Sequence, residues 1–275
     1  SKNIKIFMAQ YNKMKNQIVK SYASVNGLEM YYEIHGNGYP LVLIHGGGST
    51  LETTFSRLIP IFAKTYQVIA VEMQAHGHTA DIDRPLSFQQ DADDIAALLY
   101  HLNIPKANIF GFSNGASTTL QFAIRHPAMA NKIIVASTFY KRIGAPSWFW
   151  EMMSKPTFEG MPQLYKDAFL KINPDTTALY KMYERDIARM QSFPDIPDEQ
   201  MAAIQVPVLI LLGDQDVTTP EHAHEMQQLL PNAYLAIIPG GHGEYIGEIT
   251  TPQNSHLIMA TISIINIFLD MRGNI

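Results

Sequence analysis

The chain has no cysteine. Disulfide frameworks, thiol nucleophiles and cysteine metal sites are excluded at once. It also lacks any apolar run of the ~18 residues that a membrane-spanning helix requires. The longest candidate, 257–269, is interrupted by Thr261, Ser263 and Asn266 and reads as a buried C-terminal helix. Charge is sparse: charged residues make up 16% of the chain and the net charge is −5, so nothing recommends nucleic acid as a partner. No internal repeat and no low-complexity tract is present. The first 20 residues mix lysine and asparagine with scattered apolar residues and lack the continuous stretch of a signal peptide. The cytoplasm is therefore the default compartment, although a chain opening on Ser1 rather than Met also fits removal of an N-terminal leader.

What is present points to a full core. The 275 residues are 47% hydrophobic, enough for one large α/β domain or for a core carrying an inserted lid. Short apolar runs alternate with longer amphipathic stretches, the pattern of a mostly parallel sheet wrapped by helices. Strands are expected at 20–26, 29–35, 40–45, 66–72, 107–112, 132–138, 206–212 and 233–238. The first two should pair as a hairpin through Asn26-Gly27. Helices are expected at 52–63, 87–102, 114–126, 219–230 and 252–271, the second opening with a Ser-x-x-Gln capping box at Ser87. The interval 140–203 breaks the alternation. It holds Trp148-Phe149-Trp150, several methionines, two helix-like stretches at 160–171 and 175–191, and then Pro194 and Pro197.

The pentapeptide Gly111-Phe112-Ser113-Asn114-Gly115 lies between an apolar run and a helix-like stretch. Strand, Gly-x-Ser-x-Gly, helix is the arrangement of a nucleophile elbow. Its turn is so sharp that side chains two residues either side of the serine would collide, so both places go to very small residues. The serine hydroxyl then stands at a helix N-terminus, where the helix dipole favours a developing anion. An elbow of this kind needs an acid and then a histidine later in the chain. Val206 to Leu212 is a buried-strand run followed by Gly213-Asp214-Gln215-Asp216, and Leu235 to Ile238 is a strand followed by Pro239-Gly240-Gly241-His242-Gly243. Upstream, Leu41 to Ile44 is a strand that ends in His45-Gly46-Gly47-Gly48.

Together these four motifs resemble the α/β-hydrolase superfamily, in its serine-nucleophile, capped, esterase- and haloperoxidase-like branch. The resemblance runs from about Gly27 to the C-terminus. It implies an eight-stranded α/β-hydrolase core formed by 1–139 and 204–275, with a helical cap at 140–203 inserted after the sixth strand. Ser113 is the expected nucleophile. His242 is the expected base, because it alone among the histidines follows the acid and sits in a loop at a strand end. His222 and His224 fall on a presumed surface helix, and His76-x-His78 offers no third metal ligand. The family pattern Gly-x-x-Asp after Gly213 selects Asp216 over its competitor Asp214 as the orienting acid. The oxyanion hole should use the backbone N–H groups of Asn114 and Gly47, with Gly48 as the alternative. Trp148 or Trp150 is a candidate lining for an acyl pocket, with packing of the cap as the plainer reading.

These expectations amount to a serine hydrolase that cleaves a small, uncharged ester or lactone through an acyl-enzyme. No cofactor and no metal is implied, and the partner is a small-molecule substrate. A carbon–carbon bond hydrolase or an acyltransferase on the same triad is the alternative. The alternative of a different class is a ligand-binding protein on a hydrolase scaffold. The oligomeric state is left open.

Overall fold

The computed structural model describes residues 18–271 together with 2 and 4–6. Most of the first 20 residues, which carry the leader expectation, lie outside the described residues. One eight-stranded sheet runs in the order β1-β2-β4-β3-β5-β6-β7-β8. The strands are β1 (Val19–Val25), β2 (Leu28–His35), β3 (Pro40–Ile44), β4 (Gln67–Val71), β5 (Ala107–Phe112), β6 (Ala130–Ala136), β7 (Val208–Gly213) and β8 (Ala233–Ile238). Among the described residues only β1–β2 and β2–β4 pair antiparallel; every other pairing is parallel. Asn26 and Gly27 both have positive φ, 50° and 81°, as the two-residue hairpin that joins β1 to β2 demands.

The central strands are buried on both faces, and their period of two divides the core. Val42, Ile44, Ile69 and Val71 point to one side, where they meet Ile95, Leu98, Leu99 and Leu120. Leu41, Leu43, Val68 and Ala70 point to the other, against Phe55, Phe62, Ile262 and Phe268. Helices α3 (Phe88–His101) and α4 (Asn114–Arg125) thus cover one face, and α1 (Leu51–Phe55), α2 (Ile59–Phe62) and α10 (Ser255–Asp270) the other. In α10 the buried residues Ile258, Ile262, Ile265 and Phe268 recur at helical spacing while Met259 and Ile267 face solvent, so this helix is half buried rather than buried throughout. No helix among the described residues is long and apolar enough to cross a membrane.

Three local expectations are corrected. The single helix expected at 52–63 is two short ones, because Pro60 lacks the N–H that would continue the ladder and instead takes an early position in α2. The capping box at Ser87 is half made: Ser87 accepts Gln90 N–H at 3.0 Å, but the Gln90 amide donates to Asp94 instead of returning. Between β6 and β7 lie four helices rather than two: α5 (Ser147–Ser154), α6 (Gln163–Ile172), α7 (Thr176–Gln191) and α8 (Asp198–Ala202). A last helix, α9 (Pro220–Leu229), joins β7 to β8. It holds His224 exposed, but His222 is buried, with Nε2 accepting from Tyr140 N–H at 3.3 Å. The 140–203 interval packs on the core through Tyr140, Ile196 and Met201, which join the main core cluster, and through two smaller apolar clusters. One joins Phe149 and Phe193 to Phe88 and Phe139; the other joins Phe169, Leu179 and Met182 to Ala75.

Candidate active site

Parallel strands that end on the same edge of a sheet bring their following loops together. Ser113 follows β5, Asp216 follows β7 and His242 follows β8. Their side chains form one hydrogen-bonded file. Ser113 Oγ lies 3.1 Å from His242 Nε2, and His242 Nδ1 lies 2.7 Å from Asp216 Oδ1. With the Nδ1 proton donated to the carboxylate, Nε2 is left to accept from the serine hydroxyl.

Ser113 has φ 55° and ψ −119°, a strained region for a residue with a side chain. The strain is held from several directions. Ser113 N–H donates to Ala136 O at 2.8 Å, and α4 begins immediately after it. Packing around the turn is tight: a Cβ on Gly111 would fall 2.0 Å from Gly115 O, and one on Gly115 would fall 2.1 Å from Ile44 O. Gly115→Ala should therefore lose about 3 kcal/mol of stability, because the obstructing atoms are main chain and cannot swing away. Denaturant unfolding of purified variant and parent checks this.

Asp216 is almost entirely buried, and burial alone would raise its pKa. His242, the Ser137 hydroxyl and Gly213 N–H outweigh burial and hold the carboxyl below the usual range. Gly213 N–H donates to Oδ2 at 3.0 Å and Val217 N–H to Oδ1 at 2.7 Å. Ser137 Oγ also donates to Oδ2, and the buried Tyr245 hydroxyl lies 2.6 Å from the same Oγ. Ser137 itself has φ 57° at the end of β6. Neither Ser137 nor Tyr245 carries a motif that would have singled it out. Asp214, the competitor, turns away and accepts Gly240 N–H at 2.9 Å, a local turn bond.

The glycine-rich loop after β3 runs beside the serine. A Cβ on Gly46 would stand 3.4 Å from Ser113 Cβ, and one on Gly47 would stand 2.4 Å from Asn114 Nδ2. The N–H groups of Gly47 and Asn114 make no hydrogen bond among the described residues. Gly48 N–H, the alternative donor, is occupied: it donates to Asp186 Oδ2 at 2.6 Å. His45 is buried, and burial with His76 beside it pushes the imidazole down to about 3. It is neutral, accepting Met73 N–H on Nε2 at 3.0 Å and donating from Nδ1 to Gly46 O at 2.8 Å. His76 and His78 diverge, the first to Asp186 and the second to Glu72, so they do not converge on one point.

Beside Ser113 and His242 is a narrow cavity of about 40 Å³. Phe139, Phe149, Met190, Phe193 and Val217 make its apolar wall, and Asn114, Ser117 and Thr138 its polar side. Ser117 and Thr138 bond each other at 2.8 Å. Of the aromatic triplet it is Phe149 that lines the cavity. Trp148 is 54% exposed, and Trp150 turns its Nε1–H to Arg142 O at 2.8 Å. Successive helical residues lie about 100° apart, so only one of three neighbours can face inward.

Comparison with known proteins agrees with this architecture. The chain is 27% identical to a 2-hydroxy-6-oxo-6-(2'-aminophenyl)hexa-2,4-dienoic acid hydrolase of Metapseudomonas resinovorans, over 96% of this chain and 95% of that one. It is 24% identical to 3-oxoadipate enol-lactonase 2 of Acinetobacter baylyi, over 82% of this chain and 90% of that one. The crystal structure of a serine hydrolase involved in carbazole degradation superposes with a TM-score of 0.73 at 24% identity, covering 91% of this chain and all of its own. The family model described as alpha/beta hydrolase fold matches residues 39–179. Sheet order, strand-end loops and sequence thus agree, and the chain belongs to the alpha/beta hydrolase fold family.

Proposed function

We propose that the protein is a serine hydrolase that cleaves a small, uncharged and largely apolar ester or lactone. The observation that carries this reading is the file Ser113–His242–Asp216 opening beside an apolar cavity. His242 takes the serine proton as Oγ attacks the carbonyl carbon. The carbonyl oxygen becomes an oxyanion, received by the N–H groups of Gly47 and Asn114. Collapse expels the alkoxide, which takes the proton from His242 and leaves an acyl-serine. Water, deprotonated by His242, then repeats the attack and releases the acid. Asp216 keeps the imidazole in the required tautomer and stabilises the imidazolium. The 140–203 interval acts as a cap, with Phe149, Met190 and Phe193 forming the roof of the acyl pocket.

The likeness to a dienoic acid hydrolase favours a second reading, carbon–carbon bond hydrolysis on the same triad. A substrate of that kind carries a carboxylate, which calls for a cation in the pocket. No Lys or Arg lines the cavity, and Arg189, next in the chain to Met190, gives both terminal nitrogens to Asp91 and Asp186 and keeps only a buried, unpartnered Nε–H. A neutral ester or lactone meets no such demand, so it is the preferred substrate class.

A fluorophosphonate probe tests the reading before any substrate is identified. Stoichiometric adduct on Ser113 is expected by mass spectrometry, and none in His242→Ala. An unlabelled Ser113 in folded protein would refute the nucleophile assignment.

A further inference from the structure

A knot of buried charge sits above the glycine-rich loop, and no step of the proposed reaction uses it. Asp186 and Arg189 lie three residues apart on α7, so they share one face of that helix. Arg189 Nη1 donates to Asp91 Oδ2 on α3 at 2.6 Å, and Nη2 donates to Asp186 Oδ1 at 2.9 Å. The other carboxylate oxygen of Asp186 holds two groups from the core. It lies 2.7 Å from His76 Nε2 and accepts Gly48 N–H at 2.6 Å.

Burying a carboxylate is costly, and good packing does not require it. On the same helix Leu179 and Met182 pack against Ala75 with no charge at all. Besides the side chains of Arg189 and His76, the acceptor at Asp186 holds one main-chain N–H. The one it holds belongs to the loop beside Ser113. Gly48 has φ +68°, a left-handed conformation that glycine adopts freely, and the loop's own hold on it is long: Ser49 Oγ donates to Gly47 O at 3.3 Å and Ser49 N–H to Gly46 O at 3.4 Å.

The loop is gripped on both sides of Gly47. A trans peptide places its N–H opposite its C=O in one plane. His45 Nδ1 donates to Gly46 O, and so orients the plane that carries Gly47 N–H. Asp186 takes Gly48 N–H, and so orients the plane that follows Gly47. The first grip comes from the loop's own histidine. The second comes from a helix 138 residues further along the chain. Tyr165 and Met161 close over the same glycine: a Cβ there would lie 3.5 Å from the Tyr165 ring and 3.4 Å from Met161 Cε.

We infer that Asp186 is a positioning residue for the oxyanion hole: by accepting Gly48 N–H it fixes the peptide after Gly47, so the hole is complete only with α7 seated. The inference rests on the serine-hydrolase reading above. Asp186 does not touch the substrate; it acts through the loop backbone.

Hydrolysis of p-nitrophenyl acetate and inhibition by 1-butaneboronic acid test it together. The boronic acid bonds to Ser113 Oγ and becomes tetrahedral, with an oxygen where the oxyanion would stand. Asp186→Ala should lower kcat by about 10²-fold, the cost of a small misplacement of a catalytic group, with KM changed by less than about threefold. Boronate affinity should fall by about the same factor as kcat. In an Asp91→Asn/Arg189→Met background, which leaves no guanidinium facing the amide NH₂, Asp186→Asn keeps a carbonyl acceptor for Gly48 N–H and should retain both within about tenfold of that background. Should Asp186→Ala fail to fold, Asp91→Asn/Asp186→Ala/Arg189→Met removes the three mutually paired charges together and should show the same loss. The inference is overturned if a folded variant without the acceptor keeps kcat and boronate affinity within about threefold of the parent. It is overturned equally if the asparagine variant falls as far as the alanine one. A parent protein inert to both reagents sinks the hydrolase reading instead, which keeps the two failures apart.

Discussion

Replacing Ser113 with alanine is expected to lower kcat for ester hydrolysis by about 10⁶-fold, the scale on which loss of a catalytic serine acts. The fold should be untouched. Ser113 heads α4 but makes no side-chain capping bond, so the helix loses no cap. The change removes one oxygen that faces His242. Alanine meets the same backbone strain as serine at φ 55°, so the elbow is neither relieved nor worsened. Melting temperature should stay within a few degrees while activity disappears, which separates a chemical role from a structural one. Hydrolysis by purified Ser113→Ala at the parent's rate would move the nucleophile elsewhere.

Asp216→Asn should cost about 10³- to 10⁴-fold in kcat, while Asp214→Asn leaves it within about threefold. The two differ in what surrounds them. Asp216 receives a backbone donor on each oxygen, Gly213 N–H on one and Val217 N–H on the other. An amide has an acceptor on one side only, so asparagine must set its NH₂ against one of those donors. It also brings no charge to stabilise the imidazolium. Asp214 accepts a single N–H, from Gly240, which an asparagine oxygen can still take. Kinetics of both variants on one ester settle the order, and the reverse ranking would transfer the orienting role to Asp214.

Why are some parts of this molecule open to sequence reasoning and others closed? The parallel strands announce themselves as continuous apolar runs, most of them bounded by Gly, Pro or Asn, and each begins and ends within two residues of its expected place. The loops carrying Ser113, Asp216 and His242 are visible for the same reason, since each follows such a run. Pro60 is a readable signal that the expectation of one helix overlooks, and it divides α1 from α2. Helix α5 is not readable: it starts after Pro146 without a capping side chain, and Trp148-Phe149-Trp150 shows no helical period. Contacts made across the chain leave no trace. Ser137 meets Asp216 across 79 residues and Asp186 meets Gly48 across 138, and neither pair sits in a motif. Spacing can suggest that Asp186 and Arg189 pair on one helix face, but not that the pair reaches back to the loop after β3.

The helical interval leaves the sheet after β6 and returns at β7, two strands paired side by side. Its two ends are thus anchored on neighbours, which invites exchange of the whole interval between relatives to alter selectivity. With the positioning role inferred for Asp186, its bond to Gly48 N–H limits that freedom. A transplanted interval without an acceptor at the corresponding place would produce a chimera that folds, admits a new acyl group and turns it over slowly. Restoring one carboxylate or amide on its inner face should recover the rate.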